Sequence, residues 1–154
     1  MINYVSTRGM EGSFSAAEAI VKGIADDKGL FVPTKIPALS VSFDELAKMT
    51  YQQVAKLVIG SFFSDFTSEE IEYCVDNAYD EKFEVPEIAK ITKAGGANFL
   101  ELYHGKTAAF KDMALSILPY LMTTSMKKLG VDKKVCILTA TSGDTGKAAL
   151  EGFA

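Results

Sequence analysis

Helix-start signals recur through the first 80 residues of the chain. Each is a Ser or Thr followed three residues later by Glu or Gln, which is the pattern of a capping box. These signals begin at Ser15, Ser42, Thr50 and Thr67. Apolar residues then recur at helical spacing, as in 54–62 and 71–78. The first half is therefore predicted to be mainly helical, with one short extended piece at 30–33 that ends in a proline.

Beyond Pro86 the pattern changes to short apolar runs separated by glycine. Residues 88–91 and 98–103 are predicted strands on either side of a turn at 94–97. Residues 135–139 form a compact apolar run, which is typical of a strand buried on both faces.

A long amphipathic helix is predicted between these runs, from about residue 110. Pro119 lies inside it and lacks a backbone donor, so a kink or break is expected near Leu118. Gly130 should end this helix, and a further helix should begin at Lys147.

The order strand, helix, strand, helix is that of a parallel α/β sheet with right-handed crossovers. We therefore predict the α/β class, with a mainly helical N-terminal domain over residues 1–85 and the beginning of a parallel-sheet domain over 86–154. Two parallel strands do not make a stable sheet, because such sheets need both faces covered and usually more strands. The chain is therefore expected to be the N-terminal portion of a longer protein.

Composition excludes several classes of partner. The 154 residues include 16 Lys+Arg and 20 Asp+Glu, a net charge of −4, so the clustered basic surface that nucleic acid requires is not expected. The longest uncharged run, 113–126, is shorter than the ~20 apolar residues of a membrane span. The N-terminus shows no secretory signal. We expect a cytoplasmic protein that binds neither nucleic acid nor membrane.

The cysteines and the histidine limit metal chemistry. Cys74 and Cys136 lie far apart in apolar stretches and are expected to be buried thiols without a disulfide. His104 is the only histidine, so no metal site is predicted. Its role stays open between an acid–base or anion-binding group and a structural one.

The first candidate site is segment 104–112, His-Gly-Lys-Thr-Ala-Ala-Phe-Lys-Asp, where a predicted strand ends and a helix begins. Ligands of α/β sheets bind preferentially at this position. Lys111 is expected in the first helical turn, where the helix macrodipole disfavours an ammonium and Phe110 adds desolvation. A neutral, nucleophilic amine is what Schiff-base chemistry requires. The alternative is a solvated surface lysine beside its acidic neighbour Asp112.

The second candidate site is segment 139–146, Thr-Ala-Thr-Ser-Gly-Asp-Thr-Gly, at the carboxyl end of the predicted strand 135–139. Its two glycines and four hydroxyls precede a helix, where backbone N–H groups suit a carboxylate or phosphate. A tight turn that binds nothing is the alternative. A nucleotide phosphate loop is disfavoured, because Thr141 and Ala148 break the Walker pattern.

With both motifs in view, the sequence resembles the threonine synthase family, which belongs to the fold-type II pyridoxal-phosphate (PLP) enzymes. The resemblance runs over about residues 2–154, and its first half resembles the small domain that the family carries ahead of its PLP domain. The matching residues are His104, Gly105, Thr107, 109–112 and 139–146, and before them Tyr4, 6–9, 13–14, Ala17, Gly23, 29–33 and Pro37.

The resemblance implies a catalytic role for Lys111, as the lysine that forms a Schiff base with PLP and then shuttles protons. It also implies that Ser142, Gly143, Asp144 and Thr145 form the loop that binds the substrate carboxylate. Asp144 would in addition lie near the cofactor. The reaction implied is that of a PLP-dependent lyase, which converts O-phospho-L-homoserine and water to L-threonine and phosphate.

Two departures from the family pattern affect these expectations. Lys106 replaces the proline of the family's His-Gly-Pro-Thr, which loosens the turn and leaves a phosphate contact as one possible role. The family's glycine-rich loop for the PLP phosphate, and its hydroxyl residue facing the pyridine nitrogen, have no counterpart in these 154 residues. We therefore expect the isolated chain to be inactive and to bind PLP weakly or not at all.

A rival hypothesis from another class is a non-catalytic binding or assembly module. In either case, an unpaired strand at 135–139 predicts self-association of the chain.

Overall fold

A computed structural model describes residues 1–10 and 12–154, which form an α/β chain of several helices and two small sheets. The helices are α1 (Ala16–Lys22), α2 (Phe43–Leu46), α3 (Tyr51–Phe62), α4 (Ser68–Ala78), α5 (Asp112–Leu115), α6 (Leu118–Lys128) and α7 (Asp144–Phe153). The strands are β1 (Tyr4–Ser6), β2 (Phe31–Pro33), β3 (Lys90–Ala94) and β4 (Ala97–Glu101).

Capping boxes begin α1 to α4, as the sequence predicts. In each, a Ser or Thr side chain accepts the backbone N–H three residues later, and the Glu or Gln there accepts the N–H of the cap. The pairs are Ser15 with Glu18, Ser42 with Glu45, Thr50 with Gln53 and Thr67 with Glu70. These bonds satisfy backbone donors that have no partner inside the helix.

The N-terminal sheet confirms the extended piece predicted at 30–33. Strand β1 pairs antiparallel with β2, with Tyr4 opposite Pro33. Tyr4 also exchanges two backbone hydrogen bonds with Phe14, at 2.7 and 2.9 Å. A small apolar cluster covers one face of this sheet, where Ile2 and Tyr4 pack with Ala16 and Ala19 of α1.

The main core lies between α4 and α6. Helix α4 buries Ile71, Cys74, Val75 and Ala78, which are the residues that its apolar periodicity selects. Leu121 of α6 packs in the same cluster. The core thus joins residues on both sides of the division at 85/86, which itself stays a prediction.

The long helix predicted from residue 110 is broken, as Pro119 requires. Helix α5 ends at Leu115 and α6 begins at Leu118, with the proline in its first turn, where a missing N–H costs nothing. Gly130 follows the end of α6 with φ of 64°.

The two strands predicted after Pro86 form a hairpin. Strands β3 and β4 pair antiparallel, with Lys90 opposite Glu101 and Ala94 opposite Ala97. The connecting Gly95 and Gly96 both have positive φ, 55° and 81°, which suits the tight turn of a two-residue hairpin.

The strand predicted at 135–139 is absent, and no parallel pairing occurs among the described residues. The segment carries no regular structure, and Leu138 is 90% exposed instead of covered on both faces. A strand is defined by its hydrogen-bonded neighbour, and no described residue pairs with this segment. The parallel sheet expected over 86–154 is therefore not formed in the described part of the chain.

The thiols differ from each other. Cys74 is fully buried as expected, whereas Cys136 is exposed because its segment is unpaired. Within the described residues, no helix is long and apolar enough to cross a membrane.

Candidate functional site

The turn that precedes Lys111 is held together by the buried Asp112. Its carboxylate accepts the Thr107 backbone N–H at 2.9 Å and the Thr107 hydroxyl at 2.6 Å, and only 4% of the residue is exposed. A Cβ on Gly105 would overlap Asp112 Oδ2, so the backbone approaches this closely only because residue 105 is glycine. We name Gly105, Thr107 and Asp112 the lysine-turn clamp.

Lys111 lies immediately before the helix instead of inside its first turn. It is the N-cap residue of α5, which has only four residues, so the expected macrodipole is small. Its Nζ lies 4.8 Å from the centroid of the Phe110 ring, which is 58% exposed. An exposed aromatic face attracts an ammonium, and a ring this exposed does not bury the lysine as the sequence predicted.

Asp112 is not the surface partner of Lys111 that the sequence left as an alternative. No salt bridge joins the two side chains in the described residues, because the Asp112 carboxylate is bound to Thr107. Ala108, which follows Thr107 in this turn, has a φ of 54°, which is unusual for a residue with a Cβ. The turn thus sets the direction in which Lys111 leaves the backbone.

His104 bridges two carboxylates at the start of this turn. Its Nε2 lies 2.8 Å from Glu101 Oε2 and its Nδ1 lies 3.5 Å from Glu84 Oε2. The hydrogen bond with Glu101 raises the pKa of His104 above its ordinary value, against the opposite effect of burial. In return, hydrogen bonds from His104 and Thr92 lower the pKa of Glu101.

The second segment is open by comparison. Thr141 Oγ1 accepts the N–H groups of Gly143, the N-cap residue of α7, and of Gly146 in its first turn, at 3.2 and 3.0 Å. Gly143 has a φ of 143°, which a residue with a side chain rarely adopts. The backbone N–H groups of Asp144 and Thr145 donate no hydrogen bond within the described residues, and both residues are exposed.

Helix α7 brings the two segments together. Lys147 Nζ donates a hydrogen bond to the Thr107 carbonyl at 3.1 Å. At the other end of α7, Gly152 lies so close to the Leu115 carbonyl of α5 that a Cβ would overlap it. The lysine turn and the loop at 141–146 therefore belong to one packed unit.

Comparison with known proteins decides the family. A family model described as "Threonine synthase N terminus" matches residues 3–79, which is half of the chain. The chain belongs to the threonine synthase family. The threonine synthase of Schizosaccharomyces pombe is 37% identical over 99% of this chain. The human protein named "Threonine synthase-like 1" is 36% identical over 89% of it.

A solved structure shows the same fold. The PLP-bound threonine synthase from Brucella melitensis superposes with a TM-score of 0.87 at 32% identity, over 99% of this chain. The chain spans about a third of the length of this protein and of the fission yeast enzyme, 33% and 31%, and 19% of the human one. Most of each relative thus lies outside the matched part.

Sequence reasoning missed how the site around Lys111 is held together. It placed Asp112 and Thr141 in the candidate segments, but it foresaw neither the buried bonds of Asp112 to Thr107 nor the contacts of Thr141 and Lys147. The one available signal was Gly105, since a glycine between a strand and a helix often marks close backbone approach. Among the described residues, no three His, Cys, Asp or Glu side chains are grouped so as to hold a metal ion.

Proposed function

We propose that this chain supplies the lysine-bearing part of a PLP-dependent threonine synthase, which converts O-phospho-L-homoserine and water to L-threonine and phosphate. The proposal includes the fold-type II class and a cytoplasmic location. The observation that carries it is that α7 packs the loop at 141–146 against the turn of Lys111, through the bond from Lys147 to Thr107. An amine and a set of anion-binding N–H groups are thereby presented by one unit.

The residues present fit PLP by their chemistry. The primary amine of Lys111 is the group that combines with an aldehyde, and the described residues give it no salt bridge that would block it. The N–H groups of Asp144 and Thr145 have no acceptor in the described residues and suit a carboxylate. When bound, PLP supplies the electron sink for elimination and hydration.

Each residue then has a stated task. Lys111 holds the cofactor through Nζ and, when released, carries protons at that atom. The hydroxyls of Ser142 and Thr145, with the backbone of Gly143, bind the substrate carboxylate. Asp144, also in this loop, lies near the cofactor.

These 154 residues correspond to about a third of the fission yeast enzyme's length. We therefore propose that residues 1–154 by themselves are inactive and bind PLP weakly or not at all. The exposed, unpaired segment at 135–139 supports the further proposal that they self-associate. A monodisperse monomer in light scattering would contradict it.

A chimera tests the function directly. Residues 1–154 replace the matched third of the fission yeast enzyme, and the product is assayed for threonine formation and for borohydride trapping of PLP with peptide mass mapping. We expect activity and label at Lys111, both of which Lys111→Arg abolishes. Lys106→Arg, five residues earlier in the same turn, is the matched control and should retain both.

Two results would oppose the proposal. One is label on another lysine with Lys111→Arg still active. The other is a folded chimera that takes up no PLP, which would favour the non-catalytic module.

A further inference from the structure

We propose that His104 is a positioning residue whose imidazolium, held between Glu101 and Glu84, fixes the start of the turn that carries Lys111. Its catalytic meaning rests on the function proposed for Lys111. The coupling between the two residues is a property of the chain itself and is testable without the cofactor.

The two contacts of the ring favour its charged form. Nε2 faces Glu101 at 2.8 Å and Nδ1 faces Glu84 at 3.5 Å, and a carboxylate can only accept. A neutral imidazole has one N–H and would present a lone pair to one of the two carboxylates. Only the imidazolium donates to both, and His104 is 9% exposed, so water replaces few of these bonds.

The bridge joins three separate stretches of chain. Glu101 ends β4 and also accepts the Thr92 hydroxyl of β3 at 2.9 Å, so it is tied to the hairpin. Glu84 lies before the hairpin, and its backbone N–H donates to the His104 carbonyl at 2.9 Å. His104 therefore holds the hairpin and the 84 segment to the first residue of the lysine turn.

The lysine turn is then anchored at both ends. His104 holds its beginning, and the clamp formed by Gly105, Thr107 and Asp112 holds its end. Between Thr107 and Lys111 lies Ala108 with its positive φ, which persists only where its surroundings hold it. Release of the first anchor should therefore change the environment of Lys111.

The charged groups around the His104 ring determine the pH range in which its bridge to Glu101 and Glu84 is formed. Besides the two carboxylates, the Tyr103 ring lies against His104 at a tilt of 41°, with 4.7 Å between ring centroids, and Lys90 lies opposite Glu101 in the β3–β4 pairing. The pKa of His104 is raised, so the bridge is complete below the ordinary histidine value and is lost as pH rises through the raised value. The pKa of Glu101 is lowered, so this carboxylate remains ionised throughout that range.

Nuclear magnetic resonance can follow this residue without ambiguity, because the chain has a single histidine. In the 154-residue chain we expect the His104 ring to titrate above the usual value of about 6.5. Glu101→Gln should lower the midpoint, and Glu84→Gln should lower it less, because its contact is longer and its side chain is 75% exposed. Glu87→Gln removes the same charge from the same exposed segment and is the matched control, with an unchanged midpoint.

Two measurements on Lys111 test whether His104 positions it. Its backbone amide signal, and its rate of reductive methylation by formaldehyde relative to Lys106, should change with the same midpoint as the His104 ring. Both changes should follow the lower midpoint of Glu101→Gln and be absent in His104→Gln. A Lys111 signal and rate that ignore the His104 midpoint, or a midpoint that Glu101→Gln leaves in place, would overturn the proposal.

These outcomes are separate from those of the chimera. Coupling with no PLP label at Lys111 would keep the positioning role and remove the proposed function. Label and activity without coupling would do the reverse.

Discussion

The two candidate segments differ in how far this chain completes them. In the lysine turn, Asp112 is buried and both of its oxygens are bound by Thr107. In the loop at 141–146, a single hydroxyl, that of Thr141, holds two N–H groups, and the predicted substrate-binding residues are all exposed. One half of the site is built by local contacts of this chain, and the other is presented to whatever binds it.

The difference follows from the cost of burying polar groups. A buried carboxylate is tolerated only where donors reach it, so the clamp must be satisfied inside the chain. Exposed N–H groups at a helix start can bond to water until a ligand replaces it. Substitutions should therefore cost stability in the first segment and leave it almost unchanged in the second.

The largest effect is expected for Asp112→Ala. It leaves the N–H and hydroxyl of Thr107 buried without an acceptor, which should lower the free energy of unfolding by about 2–4 kcal/mol. Asp144→Ala removes the same side chain from the exposed loop and should stay within about 0.5 kcal/mol. Urea unfolding measures both, and equal losses would erase the contrast between the segments.

Glycine substitutions should show an intermediate effect. Gly105→Ala puts a Cβ into Asp112 and should cost about 1–3 kcal/mol, because the carboxylate cannot move without losing Thr107. Gly146→Ala puts a Cβ 2.8 Å from the Thr141 hydroxyl, whose rotation would give up its two bonds at the start of α7, so its cost should be smaller, about 1 kcal/mol or less. Gly60→Ala, inside α3 with open space around it, should stabilise by about 0.5–1 kcal/mol.

The proposed difference between the two segments is wrong if Gly105→Ala lowers stability no more than Gly146→Ala does, with both measured by thermal unfolding under the same conditions. Loss of stability in Gly60→Ala would show instead that the assay responds to any change of glycine.

A smaller effect than those of Asp112→Ala and Gly105→Ala is expected for Thr141→Val. Removal of the hydroxyl leaves the N–H of the exposed Gly143 to water and takes the acceptor from the N–H of the buried Gly146, which should cost about 1 kcal/mol. Faster amide hydrogen exchange should be confined to the start of α7. Thr145→Val, an exposed change on the same helix, should leave the exchange of Gly146 as it was; faster exchange there would show that the bond to Thr141 is not what protects Gly146.

Much of the fold was readable because its signals are local. The four capping boxes, the break at Pro119 and the tight turn at Gly95 and Gly96 all depend on residues close together in sequence. The strand at 135–139 was predicted wrongly for the complementary reason. Its apolar residues favour burial, but a strand also needs backbone hydrogen bonds to a neighbouring strand, which the segment itself does not contain.

The candidate site divides in the same way. Lys111 and the loop at 142–145 were found from the motifs and the resemblance, and their roles stay predictions. The burial of Asp112 and the bond from Lys147 to the Thr107 carbonyl, 40 residues apart, could not be found in this way. Both depend on how α5, α6 and α7 pack, which no short sequence window contains.

Residues three or four apart thus decided where the helices begin and where the chain turns, since the bonds involved close within one turn of backbone. Tertiary packing decided which polar groups are buried and which backbone angles are strained. Ile88 is almost fully buried with a φ of 62°, a conformation that a β-branched residue does not choose by itself. It is held there because the core between α4 and α6 surrounds its side chain, and that surrounding exists only in the folded chain.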